Sequence, residues 1–167
     1  MGFEAWARTN LAGLLRFATV LCCDVGVGED VVQEVLIKAH RRWDRIACLD
    51  RPEMYVRRMI VNEYLSWRRK WSRYVPSADI SLGLVVPDPA QRHAEHAELI
   101  AELVKLPPRQ RAVLALRYYA DLSDVEIAEM LSCRPVTVRT QASRALAKLR
   151  VELGAEIPTN TGAHHAH

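Results

Sequence analysis

The sequence predicts an all-α protein made of two small helical domains that a flexible linker joins. Apolar residues recur at helical spacing along most of the chain, and no segment shows the sustained alternation of a half-buried strand. That spacing is lost at residues 72–90, where prolines, serines and a glycine collect. The 167 residues are 50% hydrophobic and 26% charged, a globular composition that suits one domain or two small ones.

The first half of the chain predicts three amphipathic helices. Apolar side chains recur at i, i+3, i+4 and i+7 in three segments: residues 14–21, 32–43 and 56–67. We expect a turn at residues 23–30, with Gly26 and Gly28 as helix breakers, and another at residues 48–53, where Pro52 can begin the next helix. These helices form the expected first domain, residues 1–71.

A second helical domain is expected at residues 91–153, after the linker at residues 72–90. The paired prolines of the LPPRQR segment end one helix and start the next, and Gly154 suits the position just after the last helix. Residues 154–167 contain the stretch PTNTG and a histidine-rich end, which indicate a disordered tail rather than a metal site.

The end of the second domain has the pattern of a helix-turn-helix. Ser123 and Glu126 have the S-x-x-E spacing of a capping box, which starts a short helix. The stretch SCR then breaks that helix, and Pro135 suits the first position of the next one. The second helix has an apolar face for the core: Val138, Ala142, Ala145, Leu146 and Leu149. A helix of this kind can lie in the major groove of DNA.

The opposite face of this second helix is basic. Residues 132–150 carry five basic side chains and no acidic one. Arg134 precedes the N-terminus of this helix. A cation at that position interacts unfavourably with the helix dipole, and a phosphate bound there would make the interaction favourable. We therefore interpret the face as a contact to duplex DNA rather than as the solvated face of an ordinary hairpin. Its candidate residues are Arg134, Thr137, Arg139, Thr140, Gln141, Ser143, Arg144 and Lys148.

The helices of the first domain change in character along the chain. Residues 29–46 begin acidic and end basic, whereas residues 52–73 are basic and interleaved with tyrosines and tryptophans. Basic side chains next to aromatic rings are typical of proteins that bind unpaired bases. Core packing is the alternative explanation of the rings; we favour it for Trp43 and leave both explanations open for Trp67 and Trp71.

In this order, the segments resemble the sigma factors of bacterial RNA polymerase, and more narrowly the small extracytoplasmic-function (ECF, group 4) sigma factors of the SigE-like kind. GEDVVQEVLIKAHRRWDRI is similar to the family's region 2.2 and PEMYVRRMIVNEYLSWRRK to regions 2.3 and 2.4. LVKLPPRQRAVLALRYYADLSDVEIAEMLSCRPVTVRTQASRALAKLR is similar to region 4. The chain departs from the family's usual residues at Ser132, Arg134 and Val136. The family usually has glycine at the position of Ser132, so we expect a slightly strained turn there.

The resemblance implies a role for each segment. Region 2.2 binds the clamp coiled coil of core polymerase in this family, and the matching residues are Asp30, Gln33, Glu34, Arg41 and Arg42. Regions 2.3 and 2.4 melt and recognise the promoter −10 element, and the matching residues are Arg58, Asn62, Trp67, Arg68, Arg69 and Lys70, with the loop after Lys70 capturing a flipped base. Region 4 recognises the duplex −35 element and contacts the polymerase flap. Many members are held inactive by an anti-sigma factor, which is a further candidate partner.

Other function classes have less support in the sequence. A free-standing helix-turn-helix regulator that binds operators as a dimer is the alternative that we keep, because the motif alone does not specify a function. We expect no enzyme, cofactor or metal site, because we find no nucleophile elbow, P-loop or metal-spaced ligand set. We recognise no signal peptide or membrane span, and expect a cytoplasmic protein whose four cysteines are small buried hydrophobes.

Overall fold

A computed structural model describes residues 1–74 and 92–153 of the chain, with side chains at residues 1–70 and 97–151. Within these ranges every regular element is helical, which confirms the predicted fold class. The elements are α1 (Phe3–Cys22), α2 (Val25–His40), α3 (Trp43–Ile46), α4 (Pro52–Tyr74), α5 (Arg92–Val104), α6 (Pro108–Leu114), a π-helical segment (Ala115–Tyr119), α7 (Asp124–Leu131) and α8 (Pro135–Leu153).

The limits of the expected domains differ from the helix limits in one place. α4 continues through Tyr74, beyond the expected end of the first domain at residue 71. The expected end of the last helix agrees with α8, which ends at Leu153. Most of the predicted linker, residues 75–90, and the whole predicted tail, residues 154–167, lie outside the described residues.

The segment predicted as a turn around Gly26 and Gly28 is the first part of α2, so that prediction is wrong. α2 begins there because Asp24 caps it: its carboxylate accepts a 2.7 Å hydrogen bond from the backbone N–H of Val27. Gly28 is buried, and a Cβ atom at this position would lie only 3.0 Å from the backbone nitrogen of Thr19 in α1. The glycine therefore permits a close approach of two helices instead of breaking one.

The N-terminal module, α1 to α4, packs its predicted apolar faces together. Phe17, Val32, Ile60 and Tyr64, from three different helices, are at most 1% exposed. Trp43 is 9% exposed and its ring centroid lies 4.8 Å from that of Trp6, which confirms that Trp43 is a core residue.

The C-terminal module, α5 to α8, is organised around α8. Of the predicted apolar face, Val138, Ala142 and Ala145 are fully buried and Leu149 is 4% exposed. Leu146 is half-buried. Between α6 and α7 the chain forms the π-helical segment, in which the backbone N–H of Ala120 donates to the carbonyl of Ala115 at 3.1 Å.

The two modules share one hydrophobic core. The largest cluster of buried apolar residues includes Phe17, Ile60 and Tyr64 from the N-terminal module and Leu116 and Ile127 from the C-terminal module. α1 contacts the π-helical segment, and α4 contacts both α6 and α7. The free chain therefore adopts a compact arrangement in which the modules pack directly against each other.

The cysteines are not all buried as expected. Cys22 and Cys23 are buried at the end of α1, where burial raises the pKa of the Cys22 thiol to about 12. Cys133 is half-buried, but Cys48 is exposed, so the expectation is wrong for Cys48. Cys48 follows the short α3, and its thiol donates a hydrogen bond to the carbonyl of Asp44. The thiol therefore has a hydrogen-bond partner although it is exposed.

Replacing Gly28 by alanine should destabilise the protein by about 1–3 kcal/mol, because the new methyl group meets backbone atoms of α1 that cannot move away cheaply. Gly13→Ala is the matched control: nothing lies within 4 Å of a Cβ atom there, so alanine should stabilise α1 by about 0.5–1 kcal/mol. Urea unfolding measures both changes, and equal stability of Gly28→Ala and the wild type would contradict the close helix contact.

Candidate nucleic-acid interface

The start of α7 is fixed by the capping box that the sequence predicts. The hydroxyl of Ser123 accepts from the backbone N–H of Glu126 at 3.3 Å, and the carboxylate of Glu126 accepts from the backbone N–H of Ser123 at 2.9 Å. These bonds from Ser123, together with the nearby Arg51, lower the pKa of Glu126 below its ordinary value of 4.5. The first helix of the predicted motif is therefore anchored at its N-terminus.

The turn between α7 and α8 depends on a left-handed residue. Ser132 has φ 52° and ψ 51°, the region that glycine enters without steric cost, so the expected strain lies at this position. The backbone N–H of Cys133 donates to the carbonyl of Ala128 at 2.9 Å and closes the end of α7. Pro135 then begins α8, as predicted.

α8 presents a basic face to solvent. The exposed candidates on and just before this helix are Arg134, Arg139, Thr140, Ser143, Arg144 and Lys148. Thr137 and Gln141 are half-buried, and the hydroxyl of Thr140 donates to the carbonyl of Val136 at 2.9 Å within the helix. The arginines and the lysine are therefore the groups best placed for an external contact, with Gln141 and Thr137 at the edge of the face.

α4 has an exposed stripe opposite its buried face. Tyr55, Arg58, Asn62 and Arg69 fall at i, i+3, i+7 and i+14 and are all exposed, so they lie along one side of the helix. We call these four residues the outer face of α4. Lys70 is exposed next to it, which places a basic, partly aromatic surface along the length of the helix.

The remaining α4 candidates are less accessible. Trp67 and Arg68 are half-buried, and the guanidinium of Arg68 lies 6.0 Å from the centre of the Trp67 ring. No loop directly follows Lys70, because α4 continues through Tyr74, so that expectation is wrong for residues 71–74. The side chain of Trp71 lies outside the described residues.

The acidic candidates lie beside a groove between α1 and α2. This groove has a volume of about 540 Å³, and its lining includes Gln33 and Arg41 together with Leu11, Ile37 and His40. Asp30 and Glu34 are exposed on α2, and Lys38 pairs with Glu34 at 3.1 Å. Arg42 is exposed but does not line this groove; it lines a different pocket beside α3.

Both halves of the chain match models of one protein family. Residues 4–74 match Sigma-70 region 2, and residues 96–149 match Sigma-70, region 4. The RNA polymerase sigma-E factor of Streptomyces avermitilis is 36% identical over 152 residues, 90% of this chain and 84% of that protein. The ECF RNA polymerase sigma factor SigL of Mycobacterium tuberculosis is 31% identical over 151 residues, 86% of this chain and 84% of that protein. This chain belongs to the ECF sigma factors of bacterial RNA polymerase.

A solved relative has the same architecture. The sigma factor RpoE from Bartonella quintana, in complex with the anti-sigma factor NepR, matches 93% of this chain and 98% of its own length with a TM-score of 0.75 and 25% identity. The sigma factor described here is accordingly a transcription initiation factor with a region 2 (α1 to α4) and a region 4 (α5 to α8).

A buried arginine joins the two regions of this sigma factor. Arg111, on α6, is 3% exposed and donates to the carbonyl of Cys22 at 3.3 Å and to that of Val104 at 2.6 Å. Cys22 is the last residue of α1, and Val104 is the last residue of α5. The cation therefore lies at the negative ends of two helix dipoles, one from each region.

No carboxylate within residues 1–70 and 97–151 forms an ion pair with Arg111. Its guanidinium lies 5.9 Å from the centre of the Tyr64 ring, on α4, which adds a contact from region 2. Burial raises the pKa of Tyr64 to about 12, although the nearby guanidinium opposes that shift. Carbonyl groups and an aromatic ring thus replace the usual acidic partner.

Two exposed contacts link α4 to the helix-turn-helix. Arg51 pairs with Glu126 at 3.3 Å, and Arg58 donates to the hydroxyl of Ser132 at 3.3 Å. Arg58 belongs to the outer face of α4, so in the compact arrangement region 4 engages one of the candidate −10 residues. Exposed pairs of this kind contribute little stability, about 0–1 kcal/mol each.

Sequence reasoning missed the role of Arg111. A signal was present, because apolar Leu114 and Ala115 follow Arg111 at i+3 and i+4, which places Arg111 on an apolar side of a helix. Two of the groups that stabilise it, the carbonyl of Cys22 and the ring of Tyr64, are distant in sequence and could not be predicted from spacing. In the described part of the chain, no three histidine, cysteine or acidic side chains come together as metal ligands, and no helix has the length and apolarity needed to cross a membrane.

Replacing Arg111 by methionine should destabilise the protein by about 3 kcal/mol, because buried carbonyl groups at the ends of α1 and α5 lose their donor. Arg109→Met, two residues earlier on the same helix and exposed, is the control and should change the free energy of unfolding by less than about 0.5 kcal/mol. Chemical denaturation measures both. Two variants of equal stability would contradict the role given to Arg111.

The lowered pKa of Glu126 predicts a pH-dependent contribution to stability. The stability from the charged capping box is present in full above the ordinary pKa of 4.5 and is lost as the pH falls through the lower, folded-state value. Glu126→Gln keeps a side chain able to cap but does not titrate, so its stability should fall less between neutral and acidic pH. Urea unfolding across that range tests this, and a pH-independent difference between the two proteins would contradict it.

Proposed function

We propose that this sigma factor divides promoter recognition and polymerase binding among three surfaces on different helices. As a sigma factor, it binds core RNA polymerase and directs initiation at specific promoters. The basic face of α8 contacts the duplex −35 element, the outer face of α4 contacts the melted −10 strand, and the groove between α1 and α2 contacts the clamp coiled coil. The observation that supports this division most is that most of the polar candidates in each of the three sets are exposed, and that the sets lie on different helices.

The −35 contact follows from the chemistry of α8. The helix has arginines at Arg139 and Arg144 on its exposed side, and the arginine fork matches the two acceptors of guanine in the major groove. Arg134 lies just before the N-terminus of α8, where a phosphate oxygen would meet both the cation and the backbone N–H groups. Lys148, farther along the helix, suits a phosphate contact that adds affinity without sequence preference.

The −10 contact is a single-strand contact. Opening DNA costs a few kcal/mol per unstacked step, and the sequence contains no P-loop with which nucleotide hydrolysis could supply that energy. The energy therefore comes from captured bases and neutralised phosphates along α4, with the polymerase as scaffold. We assign the chain no catalysis of its own and place it in the cytoplasm, where polymerase and DNA are found.

The polymerase contact combines charge with apolar surface. Leu11 and Ile37 line the α1–α2 groove and are 39% and 45% exposed, so the groove has an apolar floor that is open to solvent. Glu29, Gln33 and Arg41 line the same groove and surround this apolar floor with polar groups, as in a protein–protein interface.

A second polymerase contact lies in region 4. A groove of about 370 Å³ is lined mainly by apolar and aromatic side chains of α5, α6, the π-helical segment and α8, among them Leu103, Leu114 and Leu149, together with Val20 of α1. It suits one apolar helix face, and we assign it to the polymerase flap. The Bartonella relative is in complex with the anti-sigma factor NepR. An anti-sigma factor is therefore a candidate to compete with polymerase for the surfaces of this chain.

The compact arrangement does not suit simultaneous contact with both promoter elements. By their designations the −10 and −35 elements are about 25 base pairs apart, or about 85 Å of B-DNA. A compact chain of 167 residues has a radius of gyration of only about 15 Å. Regions 2 and 4 therefore separate when the sigma factor joins polymerase at a promoter, and the contacts of Arg111 and Arg58 across the modules are lost.

The experiment that tests the proposed function is reconstitution with core RNA polymerase. Co-elution in gel filtration followed by run-off transcription from genomic fragments should give promoter-specific transcripts that core polymerase alone does not give. A protein that binds duplex DNA as a dimer and never joins polymerase would instead be the free-standing helix-turn-helix regulator.

Arg139→Ala and Arg144→Ala should each weaken recognition of the −35 element by about 1–3 kcal/mol, because each removes a base contact in the major groove. Run-off transcription on the promoters found by reconstitution measures the loss. Both variants should bind core polymerase as the wild type does, whereas Asp30→Arg should weaken polymerase binding and leave promoter choice unchanged. The reverse pattern would contradict the assignment of the surfaces.

A further inference from the structure

Two adjacent thiols lie at the end of α1, where region 2 meets region 4. Cys22 and Cys23 are 8% and 3% exposed, and neither thiol takes part in the contacts assigned above to DNA or polymerase. The ring centroid of Phe17, five residues before Cys22, lies 6.3 Å from that of Tyr119 in the π-helical segment. The carbonyl of Cys22 itself accepts from Arg111 at 3.3 Å. Region 4 therefore covers this end of α1 in the compact arrangement.

Cys23 has a backbone conformation that is costly for a residue with a side chain. It follows the last residue of α1 with φ 56° and ψ 27°, the left-handed region that glycine enters without steric cost. Its thiol donates only a long hydrogen bond, 3.6 Å, to the carbonyl of Val20. Cys22, by contrast, belongs to the main apolar cluster together with Phe17 and Leu21. Cys23 is thus the thiol at the edge of the core, beside region 4.

The groups around the two thiols are polar but incompletely paired. The Nε atom of Arg111 and the hydroxyl of Tyr64 are buried and have no hydrogen-bond partner. Both side chains interact electrostatically with Cys22 and Cys23, so they lie next to the thiols. A buried polar atom without a partner costs free energy that water returns when the regions separate. This part of the junction is therefore suited to open and close rather than to remain closed.

The compact arrangement protects both thiols from reaction. Burial raises the pKa of Cys22 to about 12 and also raises the pKa of Cys23, and only the thiolate form of a cysteine is a nucleophile. The guanidinium groups of Arg111 and Arg68 act against burial at Cys23 and favour its thiolate. Arg68 belongs to α4, so it stays beside Cys23 when region 4 leaves, whereas the burial by region 4 is lost. Separation of the regions therefore makes the Cys23 thiol both accessible and more acidic.

We propose that Cys23 is a modification site for low-molecular-weight disulfides, which reach it only while regions 2 and 4 are apart. The adduct then prevents the two regions from packing together again. This inference rests on the proposed separation of the regions at a promoter, and it adds a means of regulation to that step. A cell rich in oxidised low-molecular-weight thiols keeps the sigma factor in its extended form.

The reaction is a thiol–disulfide exchange. The Cys23 thiolate attacks one sulfur of the disulfide, the S–S bond of the reagent breaks, and a new S–S bond joins Cys23 to the attacked sulfur. The other sulfur leaves as a thiolate and takes up the proton that Cys23 released, so the exchange needs no further oxidant. A reducing thiol reverses the modification by the same route.

An adduct on Cys23 is incompatible with the compact arrangement. The side chain is buried, and protein interiors contain few voids larger than a water molecule. An adduct of tripeptide size, such as a glutathionyl group, therefore displaces the part of region 4 that covers Cys23, and Arg111 can no longer reach the carbonyl of Cys22. Cys48 provides a control, because the same adduct there lies on an exposed side chain.

The first test compares the rate of modification in two states of the full chain. Glutathione disulfide is added to the free chain and to the promoter-bound holoenzyme, in a Cys48→Ala/Cys133→Ala background that leaves only Cys22 and Cys23. Mass spectrometry of the tryptic peptide 17–38, which contains both thiols, measures the adduct. We expect modification to be at least about tenfold faster in the holoenzyme, because the open form is a minor state of the free chain, about 10% or less, and limits the rate there.

Single replacements in the same background identify the reactive thiol. Cys23→Ala should abolish the adduct in the holoenzyme, whereas Cys22→Ala should retain it. Each variant removes one buried sulfur atom, so each is the matched control of the other.

The second test measures whether the modified free chain is still compact. A Cys22→Ala/Cys48→Ala/Cys133→Ala chain, in which Cys23 is the remaining thiol, is modified in urea, and the urea is then removed by dialysis. In gel filtration this chain should elute earlier than the unmodified chain and should return to the compact elution volume after treatment with dithiothreitol. A Cys22→Ala/Cys23→Ala/Cys133→Ala chain, modified at the exposed Cys48, should elute as the compact protein before and after reduction.

Several results would overturn the proposal. Equal rates in the free chain and the holoenzyme, or no adduct in a holoenzyme that transcribes, would mean that region 4 does not control access to Cys23. An adduct that requires Cys22 would mean that the wrong thiol is assigned, and a modified chain that stays compact would refute the block to closure. A wild type that never joins polymerase refutes the proposed function instead. The gel-filtration comparison then still decides whether an adduct on Cys23 and the compact arrangement exclude each other.

Discussion

Arg111 is buried with no acidic partner among residues 1–70 and 97–151, and this burial constrains the whole arrangement of this sigma factor. Its guanidinium is held by the terminal carbonyls of α1 and α5 and lies over the ring of Tyr64. A cation in this environment is favourable only while those helix ends converge on it, because removing either one leaves a buried charge less well solvated. Helix ends that are far apart in sequence are thus fixed relative to each other, and regions 2 and 4 form one continuous core.

This constraint has a consequence for function. The same packing that stabilises the free chain brings Glu126 and Ser132 of region 4 onto Arg51 and Arg58 of α4. Both links are exposed and individually weak, so they can exchange for phosphate contacts at small cost. The Arg111 contact keeps part of its support after separation, because the carbonyl of Val104 lies in region 4 itself. Separation of the regions is therefore compatible with region 4 remaining folded.

The sequence was sufficient for features that depend on local chemistry. Helical spacing predicted the helices, the S-x-x-E pattern predicted the capping box at Ser123, and Pro135 marked the start of α8. Features that depend on tertiary contact could not be predicted in this way. Gly28 was interpreted as a breaker because its real partner, the backbone of Thr19, is visible only when α1 and α2 are packed. The basic face of α8 was predictable from charge alone, but the pocket beside α3 that Arg42 lines forms only where α3 and the start of α4 meet.

The distance between the two regions tests the account most directly. Dyes can be placed on the exposed Cys48 and on Ala147→Cys of α8 in a Cys133→Ala background, since the buried Cys22, with its raised pKa, and the buried Cys23 react poorly with thiol reagents. Energy transfer between the dyes should be efficient in the free sigma factor and should fall sharply in the promoter-bound holoenzyme. Efficient transfer in both states would contradict the account, because the compact chain cannot then be the form that separates to span the two promoter elements.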